Sequence, residues 1–376
     1  MSSPRPPARG RFNTWIVIVA TIVILVVVAL LALGNRGPGA SPSASPSRSK
    51  TSEPSATSSP SGSPASPGAS STATGTTQLT VGLGYIPNVQ FAPFYLANQA
   101  GYYEDAGLQV TFENKIDPDL ITLVGQGSID IGLADGTSMI PAVSQGIPVR
   151  YLATVYRAFP SIVFTKTSSG ITKAADLKGK KLGIPGRYGS SWIMLQALLK
   201  SANLTPDDLQ IVEYPDFGQA AAVQQGVVDA ATGFVNNEPV QLKEDGVDVR
   251  VLTVDQFVPL PGPGLIAGTK TLESKRDAIA AFISATLKAM RDVAADPQQG
   301  LQASVDAVPE LGQNPKTQAA VLAATIAAWK GSGDESTFGQ IDRDAWQKSI
   351  DFMSGLGLVP NAVTVDGVVV PSLLGG

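Results

Sequence analysis

The spacing of hydrophobic and polar positions changes character three times along the chain. Residues 15–33, from Trp15 to Leu33, form an apolar run without a charged side chain. At about 1.5 Å per residue the run nearly spans a 30 Å hydrocarbon core, so it predicts a transmembrane helix. From 34 to about 78 the sequence is about half Ser and Pro, with almost no apolar side chains to offset the entropy of ordering. That stretch predicts a disordered linker, with a reach of roughly 35 to 40 Å if it behaves as a flexible coil. Beyond it, short apolar runs alternate with helical stretches to the end of the chain.

The alternation predicts βα units. A strand is expected over Leu79–Gly84, a helix over Phe91–Gly101, and strands over Gln109–Glu113 and Asp130–Leu133 around a helix at Pro118–Gln126. A second series follows Ser161–Thr165, with strands at Lys181–Ile184, Gln210–Glu213 and Asp229–Phe234 and helices at Ser191–Ser201 and Gly218–Gln225. Two series imply two sheets. The apolar, glycine-flanked Gly264–Gly268 reads as a return crossing, after which the chain is mostly helical. The expected organisation is a cytoplasmic N-terminus (1–14), an anchor (15–33), a linker (34–78), a first lobe of 79–165 plus 266–376, and a second lobe of 166–265.

Charge orients the N-terminal run. Arg5, Arg9 and Arg11 precede it and favour a cytoplasmic N-terminus, which places the remainder outside. A cleaved signal peptide is the alternative, with Ala32 and Gly34 as a small-x-small site, but the run is longer than the usual apolar region of about 7 to 15 residues. Beyond position 77 there are 21 Lys and Arg against 30 Asp and Glu, a net charge near −9. Nucleic acids and anionic membrane surfaces need a basic footprint and are not expected partners.

Composition removes much chemistry, because the 376 residues include no His and no Cys. A Ser-His-Asp triad, an imidazole base, a thiolate nucleophile and the usual zinc and iron–sulfur ligands are all missing. No cofactor and no metal are expected, and a carboxylate-dependent enzyme is the surviving catalytic alternative. Without Cys a lipid-modified anchor is also excluded.

Ligands of open α/β sheets sit beyond the C-terminal ends of the strands, where loops and helix N-termini converge. Four segments fit: Gly84–Phe91, with Tyr85, Asn88 and Phe91; Ala134–Ser138, with Asp135, Thr137 and Ser138; Pro185–Trp192, with Arg187, Tyr188, Gly189, Ser190 and Trp192; and Phe234–Pro239, with Asn237 and Glu238. Turns use Asn, Asp, Ser and Gly for backbone reasons alone, so capping competes with ligand contact at Asn88, Asp135, Thr137 and Ser138. Tyr85 and Tyr188 lie off the periodic apolar faces and suit stacking on a ligand, whereas Trp192 also fits a buried helix face. The glycine turn before Ser191 exposes N–H groups but lacks the G-x-x-x-x-G-K-[ST] spacing of a P-loop. Arg187 is either an assisting cation or solvated, and Glu238 either a surface charge or an acceptor for a ligand N–H.

The segments "VGLGYIPNVQFAPFYLANQAGYYEDAGLQVTF", "LVGQGSIDIGLADGTSMIPAVSQGIPV", "DLKGKKLGIPG" and "GFVNNEPVQL" together resemble the NMT1/THI5-like and SsuA-like periplasmic solute-binding proteins over about residues 79–290. The resemblance implies an α/β periplasmic-binding-protein type II fold of two βα lobes joined by two crossing strands. It also implies a small-molecule ligand and, as partners, the permease and ATPase of an ABC importer. "GYIPN" and "NNEPV" are most similar to binders of thiamine-type aminopyrimidines; riboflavin, sulfonate or nitrate are the alternatives. The cysteine motif and histidines of the THI5-like synthases are missing, so pyrimidine synthesis is not expected.

Overall fold

The computed structural model describes residues 75–116, 119–254, 257–370 and 373. The expected cytoplasmic segment, the anchor over 15–33 and almost all of the linker lie outside the described residues. Among the described residues, no helix is long and apolar enough to cross a membrane.

Among the described residues, ten strands make two five-stranded sheets. The first is built from β1 (Thr77–Leu83), β2 (Leu108–Asn114), β3 (Ile131–Ala134) and β4 (Val149–Thr154), and the second from β5 (Ser161–Lys166), β6 (Lys181–Ile184), β7 (Gln210–Glu213), β8 (Ala230–Phe234) and β9 (Val249–Leu252). The last strand, β10 (Gly264–Gly268), returns to the first sheet, whose order is β2-β1-β3-β10-β4; the second runs β7-β6-β8-β5-β9. Neighbouring β1, β2 and β3 are parallel, as are β7, β6 and β8, while β10 and β5 run antiparallel to both of their neighbours. In each sheet the antiparallel member is the strand that has just crossed from the other lobe. The fold is therefore the two-lobed α/β fold of periplasmic binding proteins, with mixed sheets.

Crossing occurs earlier than the expected break after residue 165. Ser161–Lys166 pairs with β8 and β9 and so belongs to the second lobe, while β10 begins at Gly264, just before the expected return at 266. The crossing segments touch, for the amides of Val155 and Tyr156 both donate to the Pro263 carbonyl, at 3.1 and 2.9 Å. Gly262 is required there, because a Cβ would collide with the Tyr156 backbone.

Helices cover both sheets. In the first lobe, α1 (Ala92–Gln99), α2 (Tyr102–Asp105), α3 (Asp119–Gln126) and α4 (Gly136–Ser144) alternate with the strands. The second lobe carries α5 (Gly189–Ser201), α6 (Gln219–Gln225) and α7 (Glu238–Glu244). After β10 come α8 (Thr269–Ser274), α9 (Arg276–Ala295), α10 (Pro297–Ala307), α11 (Pro315–Lys330), α12 (Arg343–Gly355) and α13 (Val365–Val368). One apolar core holds α1, α9, α10 and α11 against the first sheet, with Phe94 and Tyr103 stacked on or beside Phe282. A second core joins α3 and α4 to α5 and the inner face of the second sheet, closed by Trp346 and Ile350 of α12. Since α4 and α5 belong to different lobes, this core runs across the boundary between them. A third, smaller core of Ile162, Phe164, Val223 and Leu242 seats α6 and α7 on the outer face of the second sheet.

Candidate functional site

A cleft of ≈ 800 Å³, counting its open mouth, lies where the strand ends of the two lobes face each other. The first lobe contributes Gly84 and Tyr85 after β1, Gln90 and Phe91 in the following turn, and Leu133 and Asp135 at the end of β3. The second contributes Pro185 and Tyr188–Ser191 after β6, Phe217 and Gln219 before and in α6, and Gly233, Phe234, Asn237 and Glu238 from β8 into α7. Tyr156 and Pro263, from the two crossings, line it as well.

Local chain geometry aims these groups. Gly189 sits at φ 63°, a left-handed conformation favouring glycine, and the turn directs the Ser190 amide at Asp135 Oδ2, 3.2 Å away in the other lobe. Gly186 has no Cβ, which lets the Tyr188 ring fold over it. Tyr85 accepts a hydrogen bond from Asn237 Nδ2 at 3.3 Å across the cleft, and its ring meets Phe217 edge-on with centroids 4.8 Å apart. Phe217 holds a φ of 60°, which is uncommon for a bulky residue and costs about 1–3 kcal/mol. Its amide, bonded to the Tyr214 carbonyl at 3.0 Å, fixes the turn.

Two carboxyls face this space, and no Lys or Arg is among the described lining residues. Burial pushes the Glu238 carboxyl up to about 6, opposed in part by the Phe234 amide that donates to its Oε2 at 2.8 Å. Burial likewise raises Asp135, against hydrogen bonds from Ser190. The Tyr85 hydroxyl is pushed up by burial first and by Glu238 second. Among the described residues no acidic cluster is arranged to hold a metal ion. The cleft therefore offers aromatic rings, two carboxyl acceptors and the start of α5, with no side-chain cation among the described lining residues.

Eight of the thirteen residues expected from the sequence line this cleft: Tyr85, Phe91, Asp135, Tyr188, Gly189, Ser190, Asn237 and Glu238. The other five do not. Asn88 is buried and its side chain caps the turn after it, accepting from the Gln90 amide at 3.0 Å. Thr137 and Ser138 lie in the first turn of α4, buried behind the lining. Arg187 pairs with Glu213 at 3.3 Å and stands over the Trp192 ring, 5.3 Å from its centroid, while Trp192 packs on the second core. Capping explains Asn88, and ion pairing and packing explain Arg187 and Trp192, whereas the Thr137 and Ser138 hydroxyls are buried with no hydrogen-bond partner. Phe217, Gln219 and Tyr156 lie outside the four segments expected from the sequence. No residue type in "Tyr-Pro-Asp-Phe-Gly-Gln" signals that Phe217 turns left-handed, and Tyr156 sits in a crossing whose position depends on strand pairing.

Comparison with known proteins agrees with this architecture. The NMT1/THI5 like family model matches residues 88–300. The riboflavin-binding protein RibY of Chloroflexus aurantiacus is 32% identical over 294 residues, covering 77% of this chain and 83% of its own. The 4-amino-5-hydroxymethyl-2-methylpyrimidine phosphate synthase THI13 of Saccharomyces cerevisiae is 27% identical over 254 residues, covering 64% and 74%. Among solved structures, the periplasmic aliphatic sulphonate binding protein SsuA of Escherichia coli superposes with a TM-score of 0.62 at 20% identity, covering 77% of this chain and 96% of its own, a likeness of fold alone. With more than half of its length matched and a relative above 30% identity, the chain belongs to the NMT1/THI5-like family, on the solute-binding fold.

Proposed function

We propose that this chain is the extracytoplasmic solute-binding component of an ABC importer and that its cleft takes a planar heteroaromatic vitamin, a riboflavin-type flavin ahead of a thiamine-type aminopyrimidine. One observation carries the reading: the cleft is walled by aromatic rings from both lobes, with buried polar groups between them and no described cation. The order of the two vitamins follows the riboflavin-binding relative, which is more similar to this chain than the pyrimidine synthases are. A sulfonate or nitrate would need convergent cations or N–H donors; Arg187 is spent on Glu213 and Trp192 outside the cleft, and the Ser190 amide of the glycine turn is given to Asp135.

In this reading the chain binds and releases its ligand unchanged. It has neither His nor Cys, and both cleft carboxyls accept hydrogen bonds from neighbouring backbone amides. The apolar run 15–33 would tether the head beside its permease, with the Ser/Pro stretch as a stalk.

The experiment is to fractionate cells expressing the full chain, purify it from washed membranes, denature it and identify the released small molecules by mass spectrometry. A flavin or an aminopyrimidine is expected. Release of a sulfonate instead would overturn the ligand class, and recovery of full-length protein only from the soluble fraction would overturn the tether.

A further inference from the structure

The polar side chains of the cleft differ in whether the protein already uses them. Asn237 donates to Tyr85 and accepts from Gln241 Nε2 at 2.7 Å. Gln90 Oε1 accepts from the Tyr156 hydroxyl at 2.9 Å. Asp135 and Glu238 each accept from a backbone amide. Gln219 differs from all four. It lines the cleft, is only 1% exposed, and its Oε1 is buried with no hydrogen-bond partner. Leaving such an atom unmet costs about 1–3 kcal/mol, and buried polar atoms in native proteins are almost always met by protein, water or ligand.

Its position is built rather than incidental. The strained turn at Phe217 reverses the chain just before α6, and the Gly218 amide bonds to Asp216 Oδ1 at 3.3 Å. The same turn lays the Phe217 ring against Tyr85 and starts α6 at Gln219, so one costly conformation places both an aromatic wall and Gln219 at the cleft lining. Strain of this kind collects where a binding surface requires it.

We infer that Gln219 is the specificity-determining residue of the cleft, its carboxamide reading a ring edge on which an N–H donor stands beside an acceptor. The inference rests on the heteroaromatic reading above and narrows it. A primary carboxamide presents an acceptor oxygen and an N–H donor in one plane. That pattern complements the imide edge of a flavin, where an N–H is flanked by carbonyls, and the amine with adjacent ring nitrogen of an aminopyrimidine. A ligand bearing only acceptors would leave Oε1 unmet. Sites built to bond an N–H reject analogues lacking it far more strongly than sites that sense shape alone.

The test is calorimetric titration of the full chain in detergent with riboflavin and with N3-methylriboflavin, for wild type, Gln219→Met and Gln219→Glu. A parallel pair of ligands, 4-amino-5-hydroxymethyl-2-methylpyrimidine and its N,N-dimethylated amine, covers the second vitamin class. Wild type is expected to prefer the unmethylated member by about ten- to a hundredfold. Gln219→Met should lose that preference, chiefly by weaker binding of the unmethylated ligand. Gln219→Glu keeps the acceptor and loses the donor, so it should keep the preference with affinity about tenfold lower, and it decides the matter if the Met variant does not fold. Full preference in Gln219→Met, or unchanged affinity in Gln219→Glu, overturns the role of Gln219 while leaving the ligand class standing. Failure of wild type to bind any of the four overturns the heteroaromatic reading itself.

Discussion

Glu238 opens α7 with its carboxyl turned inward, closing the strand-to-helix turn through the Phe234 amide. Gly233 makes the room: a Cβ there would stand 2.6 Å from the same carboxylate oxygen. Burial raises this carboxyl from 4.5 to about 6, so the folded state holds the proton more tightly than the unfolded chain does. Stability from this group is therefore fully present below about 4.5 and falls by ~2 kcal/mol as pH rises to about 6, then stays flat. Asp135 is shifted in the same direction, also by burial, and adds to the slope. With no His in the chain, no imidazole titrates across that window. The exposed Asp176 and Asp208, lowered by backbone hydrogen bonds, act oppositely and only at more acid pH. Glu238→Gln keeps an acceptor for Phe234 and removes the titration. Its stability relative to wild type, from urea unfolding, should rise by ~2 kcal/mol between pH 4.5 and pH 7; parallel curves for the two proteins would contradict the assignment. Sequence alone left Glu238 between a surface charge and a ligand acceptor, and it is neither exposed nor free at Oε2. Tyr85 and Tyr188 were legible because they interrupt polar loops. Gln219 was not, since in the sequence it is one more polar residue at a helix start.

Among the elements, α7 and α11 hold the lobes together away from the cleft. Asn236, fully buried just before α7, donates to Thr325 Oγ1 of α11 at 2.9 Å. The nearby Lys316–Glu244 pair, 2.8 Å, involves a largely exposed lysine, and such pairs contribute little. The buried bond is the stronger latch, because Thr325→Val would strand the Asn236 amide in an apolar contact only when the lobes are closed, at about 1–3 kcal/mol. Small-angle scattering of residues 75–376 should show a larger ligand-free radius for the variant, and ligand affinity should fall about five- to a hundredfold. A wild-type profile with wild-type affinity would remove the latch from the account. The parallel strands and the glycine-flanked return strand β10 could be read from apolar runs, but the partners of β5 could not. Ser-Ile-Val-Phe-Thr is equally apolar for either sheet, and only its pairing with β8 and β9 assigns it. Edge strands β4 and β9 are not legible in the sequence because each follows a turn and carries an arginine, Arg150 or Arg250, that breaks the apolar pattern.

At the scale of the molecule, the cleft is assembled only because both lobes present their strand ends to it. At the cleft itself, contacts from Ser190 to Asp135, Asn237 to Tyr85 and Phe217 to Tyr85 join the lobes. Each would be broken by opening and each borders the cleft, so under the proposed function binding and closure would be coupled through the same side chains. The head carries a net charge near −9 and its cleft has no Lys or Arg among the described lining residues. The most direct measurement is titration calorimetry of the full chain with riboflavin, with an alkanesulfonate for comparison, followed by recovery and mass analysis of the ligand. The account predicts saturable one-to-one binding of riboflavin, no binding of the sulfonate and recovery of the flavin unchanged. Binding of the sulfonate with none of the flavin, or a chemically altered flavin, would contradict it.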